Sequence, residues 1–203
     1  MQVLSNILLE GPNAPFYKSI IEEGVAPNFC PGAGFDHTTR QATFTLGVQG
    51  ISDKDLVESE KALTKTLIDV MRDGIDKDSF NETLHQVEMG AKKTKQNTGL
   101  MYISHMVPYA LHGGDPLSIF QIDEFSTRIK EEFAKGGLFE RLIEKHLTTN
   151  RHFLKLLYIA DAKKQEREEA KEENQMKRLR QSLSEAEVRH IVDEAAALQK
   201  HQE

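Results

Sequence analysis

Residues 39–51, Thr39-Arg40-Gln41-Ala42-Thr43-Phe44-Thr45-Leu46-Gly47-Val48-Gln49-Gly50-Ile51, decide the fold class. Ala42, Phe44, Leu46 and Val48 alternate with Thr43, Thr45 and Gly47, the period-two pattern of a strand with one buried face. On the N-terminal side, Phe29 to Phe35 supplies an antiparallel partner, with the turn near Asp36-His37-Thr38-Thr39. Upstream of that, residues 2–9 read as the last turns of a helix broken by Gly11-Pro12-Asn13. Asn13 is then placed to cap a helix from Ala14 to Glu23, with Phe16, Tyr17, Ile20 and Ile21 on one side and Gly24 at its end.

On the C-terminal side the period becomes helical. Ser52 and Asp55 stand as an acidic variant of the capping box, ahead of Leu56, Leu63, Leu67, Val70 and Met71 at helical spacing, and Gly74 closes. A second helix is expected over 77–96. A third holds Leu100, Met101, Ile103, Met106 and Val107, with Pro108 as a kink or break. Shorter helices fill Pro116 to His146, and Asn150 to Ala160 is a last strand candidate through Phe153, Leu154, Leu156, Leu157 and Tyr158. The fold class is therefore α+β, antiparallel strands covered by helices.

The composition shifts at Asp161. Residues 161–203 mix cations and anions with few large apolar side chains, which suits a solvated helix with pairs four apart. Ser184-Glu185-Ala186-Glu187 is a capping box that starts a second helix, so this stretch reads as a charged helical hairpin. The expected organisation is one partial domain over 1–160 and a hairpin linker over 161–203.

Bulk properties narrow the function classes. The 203 residues carry a formal net charge of -6, which argues against nucleic acid or an anionic membrane as partner. No apolar run approaches the roughly 18 residues of a membrane span. The first residues, Met1-Gln2-Val3-Leu4-Ser5-Asn6, are neither basic nor Arg-rich and lead into no signal-peptide core, so the start reads as the interior of a longer chain. A single cysteine, Cys30, excludes an internal disulfide and points to a reducing compartment. A catalytic Cys30 would need a histidine base nearby in space, and its setting, Asn28-Phe29-Cys30-Pro31-Gly32, matches no cysteine-hydrolase signature.

Metal chemistry needs ligands at fixed spacing. Zinc peptidases carry two histidines one helical turn apart and a carboxylate that acts on the metal-bound water, as H-E-x-x-H or inverted H-x-x-E-H. The eight histidines are His37, His85, His105, His112, His146, His152, His190 and His201, and no two stand four apart. His85-Gln86-Val87-Glu88-Met89 comes nearest, with Met89 where the second ligand belongs. Glu144-Lys145-His146 fails in the same way, with Leu142 in place of a histidine. Both read more simply as helix-surface residues. There is no G-x-x-x-x-G-K-[ST], G-x-G-x-x-G or G-x-S-x-G. Gly32-Ala33-Gly34 is a turn signal, and Gly113-Gly114-Asp115-Pro116 a loop between helices.

Leu8-Leu9-Glu10-Gly11-Pro12-Asn13-Ala14-Pro15-Phe16-Tyr17-Lys18 resembles the L-x-x-G-P-N-S-P-F-Y-K run of the presequence peptidases. These are pitrilysin-type zinc metallopeptidases of the inverted-motif class that includes insulysin and the mitochondrial processing peptidases. Residues 39–51, with the ending Gly47-Val48-Gln49-Gly50-Ile51, are similar to the strand that follows in that family. Gly99-Leu100-Met101 and His112-Gly113-Gly114-Asp115-Pro116 fit later positions. The resemblance implies four related α+β domains in two clamshell halves around a peptide chamber. The zinc ligands would lie in the first domain, and a transition-state-stabilising arginine and tyrosine in the fourth. This chain resembles the latter part of the second domain plus the helical linker between halves. The fourth-domain arginine would align with Ile21, so the carry-over yields no catalytic residue.

The expectation is a catalytically silent segment of such an enzyme, inactive alone. It has no catalytic or metal-binding residue and no cofactor of its own, zinc belonging to the full-length enzyme. Its partners would be the rest of the parent peptidase and unstructured peptides, with no nucleic acid or membrane. By resemblance its location is the mitochondrial matrix, with the cytoplasm as an alternative since no address is present. A free-standing, non-enzymatic interaction module is the second reading. A metalloenzyme built on scattered histidines is the third, and no ligand spacing supports it.

Overall fold

The structure, a computed structural model, describes residues 1–94 and 96–202. The chain divides into two compact units, Met1–Phe153 and a second from Leu154 onward.

The first unit is built around α1 (Gln2–Leu9). Val3, Leu4, Ile7 and Leu8 recur at helical spacing, and all four are buried. The next segment, expected as an α-helix over 14–23, is wound as a π-helical turn, Tyr17–Glu22. The Glu23 N–H donates to the Lys18 carbonyl, five residues back, at 3.1 Å. Phe16 and Ile20 are buried in the core and Ile21 packs against it.

The hairpin is present with one interruption. β1 (Asn28–Phe29) pairs antiparallel with β4 (Val48–Gln49), and β2 (Gly34–Asp36) with β3 (Thr43–Thr45). Asn28 faces Gln49 in the outer ladder, whereas Gly34 faces Thr45 in the inner one, so the first strand holds two extra residues. They form the turn at Pro31-Gly32, where the Ala33 N–H donates to the Cys30 carbonyl at 3.2 Å and Gly32 has φ of 75°. The Cys30 N–H bridges the gap to the Gly47 carbonyl at 2.9 Å. Phe44, Leu46 and Val48 pack against the core as the alternation requires. Ala42 does not, because pairing ends at Thr43 and Ala42 stands exposed in the turn.

α2 (Leu56–Asp73) starts later than the capping box implied. The Ser52 hydroxyl donates to Asp55 Oδ2 at 2.7 Å, so the carboxylate is used in a turn before the helix instead of capping it. Gly74, with φ of 75°, ends the helix. α3 (Lys77–Lys92) is capped by Asp76, whose carboxylate accepts from the Asp78 and Ser79 N–H groups at 3.0 and 2.9 Å. It stops short of the expected Gln96 because the backbone turns extended at Lys93, and position 95 lies outside the described residues. α4 (Thr98–Leu111) continues through Pro108, which takes one backbone N–H out of the helical ladder without ending the helix.

A 3₁₀ turn (Pro116–Phe120), α5 (Ile122–Ala134), α6 (Leu138–Ile143) and a π-helical turn (Glu144–Thr148) complete the unit. The core joins the α1 residues to Phe16 and Ile20, to Leu67 and Val70 of α2, to Phe80 and Leu84 of α3, and to Phe139 and Ile143 of α6. Burying these side chains, at about 1.5–3 kcal/mol each, is the main stabilising contribution.

The strand expected over 150–160 is absent. The segment is irregular and exposed and pairs with no strand among the described residues. In the second unit this segment leads to α7 (Lys164–Ser182) and α8 (Glu185–Gln202). α7 is exposed throughout and carries the expected pairs, such as Glu173 with Lys177 at 2.7 Å. Ser184 and Glu187 form the capping box reciprocally, Ser184 N–H to Glu187 Oε2 at 2.8 Å and Glu187 N–H to Ser184 Oγ at 3.3 Å.

Candidate functional site

The positions that most resemble catalytic templates are occupied by structural contacts. Glu88, on α3, accepts hydrogen bonds from the Ser126 hydroxyl and, at 3.0 Å, from the Lys130 ammonium, both on α5. These contacts, Ser126 first, hold its carboxyl below the usual range. A base acting on metal-bound water needs the opposite, a free carboxylate with raised basicity. His85 is exposed on the same helix, and Met89 is 54% exposed where a second ligand would stand.

The other histidines are exposed as well. His37 stacks on Phe35, with ring centroids 5.9 Å apart, and lies against Tyr109 at 5.8 Å. His112 Nε2 is 3.3 Å from the Thr38 carbonyl oxygen. Together these tie the hairpin turn to the end of α4. Glu144 and His146 sit in the π-helical turn, where the Thr149 hydroxyl donates to the Glu144 backbone carbonyl at 2.7 Å. Among the described residues no three His, Cys, Asp or Glu side chains converge as a metal site requires. The residues present do not fit the zinc that the resemblance assigns to the full-length enzyme.

Cys30 is half-buried in the hairpin, and burial pushes its thiol up, which disfavours the thiolate a nucleophile needs. Ile21, where the resemblance aligns a fourth-domain arginine, packs against the core. Ser5 shows how the hairpin is held to α1: its hydroxyl, almost wholly buried, accepts from the Phe35 N–H at 3.0 Å. No motif announces this contact, because it depends on a strand and a helix thirty positions apart.

Two exposed apolar surfaces are the features that the sequence patterns did not resolve. The first is one face of α4: Leu100, Ile103, Val107 and Leu111. The available signal was charge, since no Asp, Glu, Lys or Arg occurs from Gln96 to Gly114. The second is the irregular segment from Phe153 to Ile159. No helix among the described residues is long and apolar enough to cross a membrane. Beside these surfaces, the histidines and carboxylates described above are held in separate places.

Comparison with known proteins finds relatives along nearly the whole chain. The profile of the Peptidase M16 inactive domain matches residues 1–87. The mitochondrial presequence protease of Mus musculus is 31% identical over 192 residues, covering 94% of this chain and 18% of that protein. Its counterpart in Danio rerio is 28% identical over 199 residues, covering 98% of this chain and 20% of its own length. That of Schizosaccharomyces pombe is 28% identical over 151 residues, or 74% of this chain and 15% of its own length. The resemblance first carried by residues 8–18 and 39–51 thus extends over nearly the whole chain, and it is a resemblance to one piece of a peptidase. The chain spans no more than a fifth of the length of the curated relatives it matches.

Proposed function

We propose that this chain is a non-catalytic segment of a presequence-protease-like zinc metalloendopeptidase, one that degrades targeting peptides and other short unstructured peptides. In that assembly the first unit contributes to the wall of the peptide chamber. The helices α7 and α8 act as a hinge between the two halves. Closing the chamber would exclude water and hold the substrate strand, the usual work of a lid. Zinc and its ligands reside in another part of the parent enzyme, and the partners are that remaining part and the peptides it cleaves. The mitochondrial location is inherited from the relatives.

The single observation that carries this reading is the proportion of the match: up to 98% of this chain aligns with about a fifth of a presequence protease. Similarity of residues 1–87 to an inactive peptidase domain supports the silent role. So does Glu88, whose place in the nearest approach to a zinc motif is taken up by contacts to α5.

The test is hydrolysis of a quenched unstructured peptide by the purified chain with added zinc, with bound metal quantified in the same sample. The expected result is no cleavage and no stoichiometric metal. Cleavage with about one zinc per chain would overturn the reading. The hinge role is tested in a full-length relative: removing the segment that corresponds to 161–203 should impair peptide turnover, and unchanged turnover would refute it.

A further inference from the structure

The link between α2 and α3 carries a step with chemistry of its own. Asp73-Gly74 is the one place in the sequence where an aspartate or asparagine is followed by glycine. Glycine has no side chain to shield its nitrogen, so at such a step the main chain can turn on the carboxyl before it. The Gly74 nitrogen attacks the carbon of the Asp73 side-chain carboxyl. A nitrogen–carbon bond forms, and one carboxyl oxygen leaves as water, carrying the proton of the acid and the proton of the nitrogen. Water then opens the resulting succinimide ring. Where that water attacks the main-chain carbonyl carbon, the chain afterwards runs through the side chain as isoaspartate. The composition is unchanged, since one water leaves and one is taken up, and the backbone is longer by a methylene.

We propose that Asp73-Gly74 is a latent site of isoaspartate formation, held closed by the end of α2 and opened when that end unwinds. Two contacts close it. The Gly74 N–H donates to the Val70 carbonyl at 2.9 Å, so the attacking nitrogen is committed to the helical ladder. Both carboxylate oxygens of Asp73 are taken by Arg72, Oδ1 by Nε at 2.7 Å and Oδ2 by a terminal guanidinium nitrogen at 2.8 Å. That pairing holds the Asp73 carboxyl below its usual range, whereas ring closure needs the protonated acid as its electrophile. The step is nonetheless poised. The Asp73 side chain is 62% exposed, and Gly74, with φ of 75°, is where the helix stops. Helix ends are where local opening costs least, and opening frees the N–H. The added methylene would fall in a short connection. Ile75 packs against the core and Asp76 caps α3, so the fold has contacts to lose on the far side of the step.

The experiment is prolonged incubation of the whole purified chain at neutral pH, below its unfolding midpoint, in parallel with the same chain in guanidinium chloride. Isoaspartate is read by labelling with an isoaspartyl methyltransferase and located by mass spectrometry of the tryptic peptide that begins after Arg72. The denatured chain should accumulate isoaspartate at position 73. The native chain should do so at least about 10-fold more slowly, the factor set by a local opening that costs about 1.4 kcal/mol. Asp73→Glu keeps the charge but would have to close a larger, slower ring, and it should remove most of the label from that peptide in the denatured chain. A native chain that is still helical by circular dichroism and is labelled at the denatured rate would overturn the proposal. So would a label in the denatured chain that survives Asp73→Glu undiminished.

Discussion

Phe80→Ala tests the packing of the first unit most directly. Phe80 is 2% exposed. Its ring stacks on Phe133 of α5 with centroids 4.0 Å apart and an interplanar angle of 20°, and it meets Phe139 of α6 at 5.9 Å and 55°. Phe133 and Phe139 complete the triangle at 5.8 Å. Truncation at such a site removes the transfer free energy of the ring and leaves a cavity, together about 3–5 kcal/mol for Phe→Ala. The two aromatic contacts lie within that total, at roughly 0.5–1.5 kcal/mol each. Phe133 is only half-buried, so the cluster can relax from that side, and we expect the lower half of the range, about 3–4 kcal/mol. Against a typical domain stability of about 5–15 kcal/mol this leaves the unit folded but much weakened. The assay is urea titration followed by far-UV circular dichroism. There the exposed α7 and α8 contribute a sloping baseline, and the first unit the cooperative step. The thermal midpoint should fall by roughly 2–4 °C per kcal/mol. A loss below about 1 kcal/mol would mean that Phe80 is not where three helices meet, and the arrangement of α3, α5 and α6 would be refuted.

Three further outcomes follow from single contacts. Glu88→Gln should cost less than about 1 kcal/mol at neutral pH, because Lys130 is half-exposed. Its signature is in the pH profile: a carboxyl held low in the folded state stabilises above its unfolded value and loses that contribution as pH falls through the folded one. The wild-type excess stability should therefore be intact above the ordinary glutamate range and decline as pH falls below it, while the variant changes less over the same window, and parallel profiles would sink the idea. Gly34→Ala should destabilise by about 1–3 kcal/mol, since Gly34 has φ of 113° and an added Cβ would stand 2.8 Å from Ser5 Oγ; retained stability in urea would contradict the hairpin's seat on α1. Ser184→Ala should lower the helicity of α8 by removing the cap, at a cost of about 1 kcal/mol, and leave the cooperative urea transition of the first unit unmoved.

What was legible in the sequence, and what was not, divides by the range of the interaction. Ser184 and Glu187 are three apart and satisfy each other, so their box could be read from four letters. The hairpin was legible because both strands lie within one short stretch, whereas the two extra residues at Pro31-Gly32 interrupt a strand that was read as continuous from Phe29 to Phe35. Ser52 and Asp55 show the limit of the same rule. The pair does bond, but side chain to side chain, and the helix begins one turn later than its letters implied. The failures are of another kind. Phe153 to Ile159 has the apolar continuity of a strand buried on both faces, yet a strand is a relation between two segments, and the pattern states only the demand for one. α4 likewise reads as a helix that wants burial, without saying which side is to be covered or by what. The candidate site was illegible for the same reason. With no ligand spacing to find, what remained was surface, and surface acquires meaning only from its occupant. The two places where pattern and structure part both carry exposed large apolar side chains, in a chain that matches a fifth of its relatives. In both places the pattern states a demand for burial that the described residues of the chain do not meet.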